Sequence, residues 1–141
     1  MSATQFTALA RTSDPHTALR RFLALDAVVT GANGLAYLAA SGPLGRFLGV
    51  GSGLLLALGV VLAVYGAAVG LLAFRARPAA LPVRAVIETN VTWTVLSCVA
   101  LAVWLSPSAA GAVWTLLQAL VVAAFAALQY MALKARQEIS D

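Results

Sequence analysis

The chain has 141 residues, of which 62% are hydrophobic and 10% are charged, and its mean hydropathy is +0.92. A soluble domain has about half apolar and about a quarter charged residues, so this composition excludes a soluble globular domain, a disordered chain and a nucleic-acid-binding module. The net charge of +4 comes from nine Lys and Arg residues against five Asp and Glu residues. In a membrane protein, the main information in such an excess of basic residues is the orientation of the chain across the membrane.

Four stretches of the chain are long and apolar enough to cross a bilayer, which takes about 20 residues per helix. They cover residues 22–40, 54–74, 85–105 and 113–133. Their apolar residues are consecutive rather than alternating with polar ones, which favours helices over the strands of a membrane barrel. The sequence therefore predicts an all-α membrane protein, a four-transmembrane-helix bundle. We expect a single domain over residues 1–141 with a short mobile tail over residues 1–13.

The connections between the spans are short and rich in Gly, Pro and Ser, which is typical of turns. Asp14-Pro15 combines an N-cap residue with a proline at the first helical position, so we expect the first helix to begin near Pro15. Residues 44–48, between the first two spans, are expected to lie along the membrane interface.

The basic residues are unevenly distributed along the chain. Eight of the nine Lys and Arg residues lie in the N-terminal segment, the connection between spans two and three, or the C-terminal tail. These regions fall on one side of a four-span protein, and the opposite side carries Arg46. Because basic residues accumulate on the cytoplasmic side, the sequence predicts a multi-pass protein of the plasma or bacterial inner membrane with both termini in the cytoplasm.

The two halves of the chain have a similar layout. A shift of 64 residues superposes Arg20 on Arg84, Asp26 on Asn90, Thr30 on Thr94 and Pro43 on Pro107. Chains rich in Ala produce such matches by accident as well, so a duplication stays one of two interpretations. If it occurred, the bundle would consist of two parallel helix-pair repeats related by an axis along the membrane normal.

The first span carries a polar face. Asp26, Thr30, Asn33 and Tyr37 are spaced as residues on one side of a helix. Lipid offers them no hydrogen bonds, so this face is predicted to point into the bundle. No basic residue lies one turn from Asp26 on its own helix. Two interpretations follow: an ion pair with Arg84 that fastens helix one to helix three near the membrane interface, or a proton or cation relay.

The third and fourth spans supply further polar side chains. Glu88 lies one turn after Arg84, which allows a local ion pair. Hydrogen bonds that join helices are the default role for the amides and hydroxyls, ahead of ligand binding. The candidate polar interior of the bundle consists of Asp26, Thr30, Asn33, Tyr37, Glu88, Asn90, Thr94, Ser97, Gln118 and Gln129.

Small residues form two stripes that allow close helix packing. They are Gly59, Ala63, Gly66 and Gly70 in the second span, and Ala119, Ala123 and Ala126 in the fourth. The spacing does not distinguish packing within the bundle from packing against a second subunit.

The sequence contains no HExxH, CxxC, GxSxG or phosphate-binding glycine loop, and it has one histidine and one cysteine. We therefore predict a non-enzymatic protein with no cofactor, no metal site and no nucleic-acid partner. The expected role is a small component of the lipid bilayer that associates with itself as a homo-oligomer or with another membrane protein. The alternative is a small proton-coupled transporter or ion pathway that uses Asp26 and the polar faces of spans one and three.

Several short features occur in a recognisable order. They are Arg20-Arg21 ahead of Asp26, Gly31 and Gly34 in span one, Phe47-Leu48-Gly49 before span two, Asn90 with Trp93 in span three, and Leu128-Gln129-Tyr130 at the end of span four. In these features the chain resembles a broad group of bacterial four-helix integral membrane proteins of unknown function. It is also loosely similar to DoxX-like proteins. The resemblance implies fold and membrane location, and no activity.

Overall fold

A computed structural model describes residues 14–140, and this part of the chain consists of helices and short connections. The helices are α1 (Pro15–Ala39), α2 (Ser41–Leu48), α3 (Ser52–Phe74), α4 (Ala80–Val103) and α5 (Ala109–Ser140). All except α2 are long and apolar enough to span a membrane. The predicted all-α four-helix fold is confirmed, and the chain is a multi-pass membrane protein. The tail expected over residues 1–13 lies outside the described residues.

The helices extend beyond the apolar spans at several ends. Helix α1 begins at Pro15, where the side chain of Asp14 accepts a hydrogen bond from the backbone nitrogen of His16 at 3.1 Å. Helix α5 continues to Ser140. Hydropathy locates the stretch that fits the hydrocarbon, whereas caps and turns determine where a helix ends. The predicted spans are therefore shorter than the observed helices.

The short helix α2 connects α1 to α3 and is fixed to the start of α5. It ends at Leu48 and is followed by the cap residue Gly49, whose φ of 71° lies in the left-handed region that favours glycine. The backbone nitrogen of Ser108 donates to the carbonyl of Leu48 at 3.1 Å, and its hydroxyl donates to the carbonyl of Phe47 at 2.7 Å. A side chain at Gly111 would overlap the Leu48 carbonyl, so glycine is required there.

The four long helices form two tightly packed pairs. Helix α1 packs against α3, α4 packs against α5, and contacts between α1 and α5 join the pairs, while α3 and α4 scarcely touch. The small-residue stripe of α3 lies in the first of these interfaces. A Cβ atom on Gly34 would lie 2.6 Å from the backbone nitrogen of Ala63, and one on Gly66 would lie 2.9 Å from the Cα of Gly31. The stripe therefore packs within the bundle.

Apolar side chains fill both ends of the bundle. At the end where α1 and α4 begin, here called the arginine-rich end, the buried layer contains Leu19, Leu23, Val69, Ala73, Val83, Val86, Ala132 and Leu133. At the other end, here called the α2 end, a smaller buried group contains Tyr37, Leu55 and Leu62. The buried polar side chains Asp26, Thr30, Asn90 and Gln129 lie between these two layers.

Burial follows the 64-residue shift found in the sequence. The buried residues Leu19, Asp26, Leu55, Leu62 and Val69 correspond in this shift to Val83, Asn90, Ala119, Ala126 and Leu133, which are also buried. The pairs α1–α3 and α4–α5 run in the same directions. These observations support two parallel helix-pair repeats.

Candidate functional site

Asp26 occupies the middle of α1 and has a relative exposure of 1%. With a rise of about 1.5 Å per residue, it lies about 16 Å from the start of α1 and about 20 Å from its end. Its expected position near the membrane interface rested on a span beginning at residue 22. The predicted helix start near Pro15 is confirmed, so Asp26 is central in α1 while it lies four residues after the start of the predicted apolar span.

Three neutral donors surround the carboxyl group of Asp26. Its Oδ2 atom accepts hydrogen bonds from Asn90 Nδ2 and from Gln129 Nε2, each at 2.8 Å. Its Oδ1 atom accepts from the hydroxyl of Thr30 at 3.0 Å. The two amides come from α4 and α5, so one carboxyl group links three helices.

The fourth long helix enters this arrangement through Tyr65, which the sequence analysis did not single out. The Tyr65 hydroxyl lies 3.0 Å from Asn90 Oδ1 as a donor, and this orients the Asn90 amide so that its nitrogen faces Asp26. The same nitrogen lies 3.1 Å from Gln129 Oε1. We call Asp26, Thr30, Tyr65, Asn90 and Gln129 the Asp26 cluster.

Residues of the Asp26 cluster are related by the same 64-residue shift as the two halves of the chain. Asp26 and Asn90, which bond to each other, are 64 residues apart, and so are Tyr65 and Gln129. Gln129 of the second half donates to Asp26 of the first, and Tyr65 of the first half donates to Asn90 of the second. Tyr65 is the one hydrogen-bonding side chain of residues 54–74, a signal that could have identified it.

Glu88 is not part of the polar interior, contrary to expectation, and Arg84, the expected ion-pair partner, lies outside it as well. Both are exposed and line a groove on the outside of α4 and α5, together with Lys134. At about 100° per residue, Glu88 lies about 200° around α4 from Asn90, so it points outward when Asn90 points inward. Within residues 14–140, the structure contains no ion pair of Asp26 or Glu88 with Arg84.

Other arginines stabilise backbone carbonyl groups at the arginine-rich end. Arg20 Nε donates to the carbonyl of Ala73 at 3.0 Å, near the end of α3. Arg136 donates to the carbonyl of Pro78 in the connection between α3 and α4. These contacts provide partners for carbonyl groups that lack a helical partner. Because these arginines bind backbone carbonyl groups, the hydrogen-bond partners of Asp26 are the amide and hydroxyl groups described above.

Two further polar contacts lie between the Asp26 cluster and the α2 end. Asn33 Nδ2 donates to Gln118 Oε1 at 3.2 Å, and Trp114 Nε1 donates to the hydroxyl of Tyr37 at 2.8 Å. The Thr94 hydroxyl donates to the carbonyl of Asn90 one turn earlier. Ser97 borders a cavity beside these contacts.

Two cavities occupy the space between α3 and α4. The first has a volume of about 90 Å³, and Thr30, Tyr65 and Asn90 are part of its lining, so the Asp26 cluster borders it directly. The second has a volume of about 210 Å³ and reaches the connection between α4 and α5. Leu62, Trp93 and Gln118 line both cavities, which are therefore adjacent.

The chemistry available to this arrangement is binding and proton exchange. Among the described residues no group of three His, Cys, Asp or Glu side chains is placed to hold a metal ion. The Asp26 carboxyl group can gain or lose a proton, and the cavities can hold a small molecule beside it. Comparison of the chain with models of protein families, with curated proteins and with solved structures finds no match.

Proposed function

We propose that the protein is a small proton-coupled membrane transporter in which Asp26 binds and releases the coupling proton. The observation that carries the proposal is a fully buried carboxyl group held by neutral donors, two of which, Thr30 and Asn90, line a cavity. A buried charge without an opposite charge is costly, so in the middle of a membrane helix it favours a functional role over a structural one.

The distribution of polar and apolar groups supports access from one side. The cavities extend from Asn90 towards the α2 end, whereas a packed apolar layer that includes Leu23, Val69 and Leu133 lies on the other side of Asp26. A carrier open towards the α2 end and closed at the arginine-rich end has this arrangement. Transport then requires the apolar layer to open after the cavity has closed.

The role expected from the sequence is a component that associates with itself or with another membrane protein, with the two small-residue stripes as candidate contact surfaces. Gly59, Ala63 and Gly66 lie against α1 within the same bundle, so they offer no surface to a second copy. The buried Asp26 cluster and the cavities beside it support transport more strongly than the stripes support association. We therefore propose transport, without chemical conversion of the cargo, ahead of association.

Infrared spectroscopy of the purified protein in lipid tests the role of Asp26. Lowering the pH should produce the band of a protonated buried carboxyl group, and this band should be missing in Asp26→Asn. Glu88→Gln is the matched control, because Glu88 is an exposed acid outside the cluster. A spectrum without a band that depends on Asp26, at every pH at which the protein stays folded, would contradict the proposal.

Both termini are proposed to face the cytoplasm, in the plasma or bacterial inner membrane, because eight of nine basic residues lie at the arginine-rich end or in the flanking segments. In this orientation the cavities lie on the side of the Asp26 cluster that faces away from the cytoplasm. Reporter fusions at residues 46 and 141 distinguish the two orientations. A cytoplasmic signal at residue 46 would reverse the assignment.

A further inference from the structure

Two adjacent cavities that share lining residues lie at the gap between α3 and α4, and together they make up the candidate binding site. These helices scarcely touch, whereas the corresponding contact between α1 and α5 is closed. A dry cavity of about 150 Å³ in a protein interior can hold a benzene molecule. The second cavity, at about 210 Å³, exceeds this volume and can hold a ring compound, and the first, at about 90 Å³, adds space beside it for a substituent.

The lining of this site selects against charge. Every residue that lines either cavity lies in the described part of the chain, and none is Asp, Glu, Lys, Arg or His. A charged occupant would lose its hydration and meet no opposite charge, which makes binding unfavourable. The lining thus favours a neutral molecule.

Asn33 and Gln118 retain hydrogen-bonding capacity towards the occupant. Asn33 Nδ2 donates to Gln118 Oε1, which leaves Asn33 Oδ1 and the Gln118 amide nitrogen without a partner among residues 14–140. Both residues line the first cavity, and Gln118 also lines the second. A hydroxyl group could donate to the first of these atoms, and a hydroxyl or carbonyl oxygen could accept from the second.

The walls of the site are aromatic and aliphatic. Tyr65, Trp93 and Phe125 line the first cavity, and Trp93, Trp104 and Trp114 line the second. Aromatic side chains pack well against flat rings. A neutral ring compound dissolves in the bilayer, so the gap between α3 and α4 offers it a route from the lipid.

We propose that this site binds a neutral, mainly apolar ring compound whose hydroxyl or carbonyl group is held by Asn33 and Gln118. Such a compound would be the cargo of the transporter proposed above, and the word cargo rests on that proposed function. Binding itself does not require proton movement, so the two can be tested separately.

Tryptophan fluorescence reports on the site, because all three tryptophans of the chain line the second cavity. The probe is 2-naphthol, which is neutral and absorbs in the range of tryptophan emission, and naphthalene is the same ring system without the hydroxyl. We expect saturable quenching by 2-naphthol in the protein reconstituted in lipid. Gln118→Leu and Asn33→Leu should each weaken the binding of 2-naphthol at least tenfold and leave the affinity of naphthalene, measured as a competitor that displaces 2-naphthol, unchanged.

A second pair of variants tests the site without changing its polar groups. Val122→Phe adds volume inside the first cavity and should abolish saturable quenching, whereas the matched Ala124→Phe on the exposed side of α5 should not. Equal 2-naphthol binding by the unmodified protein, Gln118→Leu and Val122→Phe would overturn the inference. If the unmodified protein binds 2-naphthol but shows no infrared band that depends on Asp26, proton coupling alone is refuted. If it shows the band but does not bind 2-naphthol, the binding site alone is refuted.

Discussion

Each oxygen of the Asp26 carboxyl group accepts a hydrogen bond, and both donors to Oδ2 are themselves buried. Hydrogen bonds to a charged group contribute about 1.5–3 kcal/mol each, compared with about 1 kcal/mol for neutral pairs. The amides and the Thr30 hydroxyl therefore provide partners for both oxygens of the carboxyl group. Loss of these bonds would loosen the contacts among three helices together.

Replacing Gln129 tests how strongly the cluster depends on one donor. Gln129→Leu removes the bond to Asp26 Oδ2 and the acceptor of Asn90 Nδ2. We expect the free energy of unfolding in detergent micelles to fall by about 1.5–3 kcal/mol.

Gln137→Leu is the control for Gln129→Leu, because Gln137 is on the same helix and lines the outer groove. Its effect should stay within about 0.5 kcal/mol. The cost of Gln129→Leu should shrink when Asp26 is already replaced by Ala, since the two residues share one contact. An undiminished cost in that background would show that Gln129 acts through other neighbours.

At the scale of helices, the contact between α1 and α3 depends on glycines whose partners are backbone atoms. A Cβ on Gly34 would lie 2.6 Å from the Ala63 nitrogen and 2.9 Å from the Gly59 carbonyl oxygen. Backbone cannot move aside as a flexible side chain can. A Cβ on Gly31, one turn earlier on α1, meets no atom within 4 Å.

Gly34→Ala and Gly31→Ala should therefore have opposite effects. Gly34→Ala forces the helices apart and should lower the free energy of unfolding by about 1–3 kcal/mol. Gly31→Ala adds a better helix former in open space and should be neutral or stabilising by up to about 1 kcal/mol. Reversible unfolding in micelles measures both, and equal destabilisation would indicate that α1 and α3 pack differently.

The small-residue stripe also shows what sequence can predict about an element. The spacing of Gly59, Ala63 and Gly66 predicts a surface of close approach, and the structure contains one. The partner helix could not be predicted, because any helix with small residues fits such a surface. Only the three-dimensional arrangement places Gly31 and Gly34 opposite the stripe.

For the whole molecule, hydropathy was sufficient to predict four membrane helices. Polar groups are unfavourable in lipid, so each membrane helix must consist of consecutive apolar residues that are visible in its own stretch of sequence. The interior was harder to predict. Charge and helical spacing made Arg84 a plausible partner for Asp26, whereas the actual partners are neutral amides as far as 103 residues away in the chain. Tyr65 was missed because a lone tyrosine in an apolar span carries no periodic signal.

The two-fold relation of the cluster gives a prediction about the whole bundle. Asp26 and Asn90 correspond under the 64-residue shift and contact each other at 2.8 Å. The double variant Asp26→Asn/Asn90→Asp keeps one carboxyl and one amide but exchanges their helices. The new carboxyl group would accept from the Tyr65 hydroxyl, which already donates to position 90.

We expect each single substitution to lower the free energy of unfolding and the double variant to recover at least half of the combined loss. Asn90→Asp alone brings two carboxyl groups into contact, and like charges at that distance repel. Asp26→Asn alone replaces one of the two acceptor oxygens by an NH2 donor, so the cluster loses an acceptor and gains a donor. The double variant should recover stability because it again contains one carboxyl group and one amide at the centre of the cluster. Reversible unfolding of the single and double variants measures this non-additivity directly.

The control exchange Glu88→Gln/Gln137→Glu, in the outer groove, should show no such coupling. Strictly additive losses at positions 26 and 90 would mean that the two halves of the cluster are not equivalent, and that the carboxyl group is required on α1.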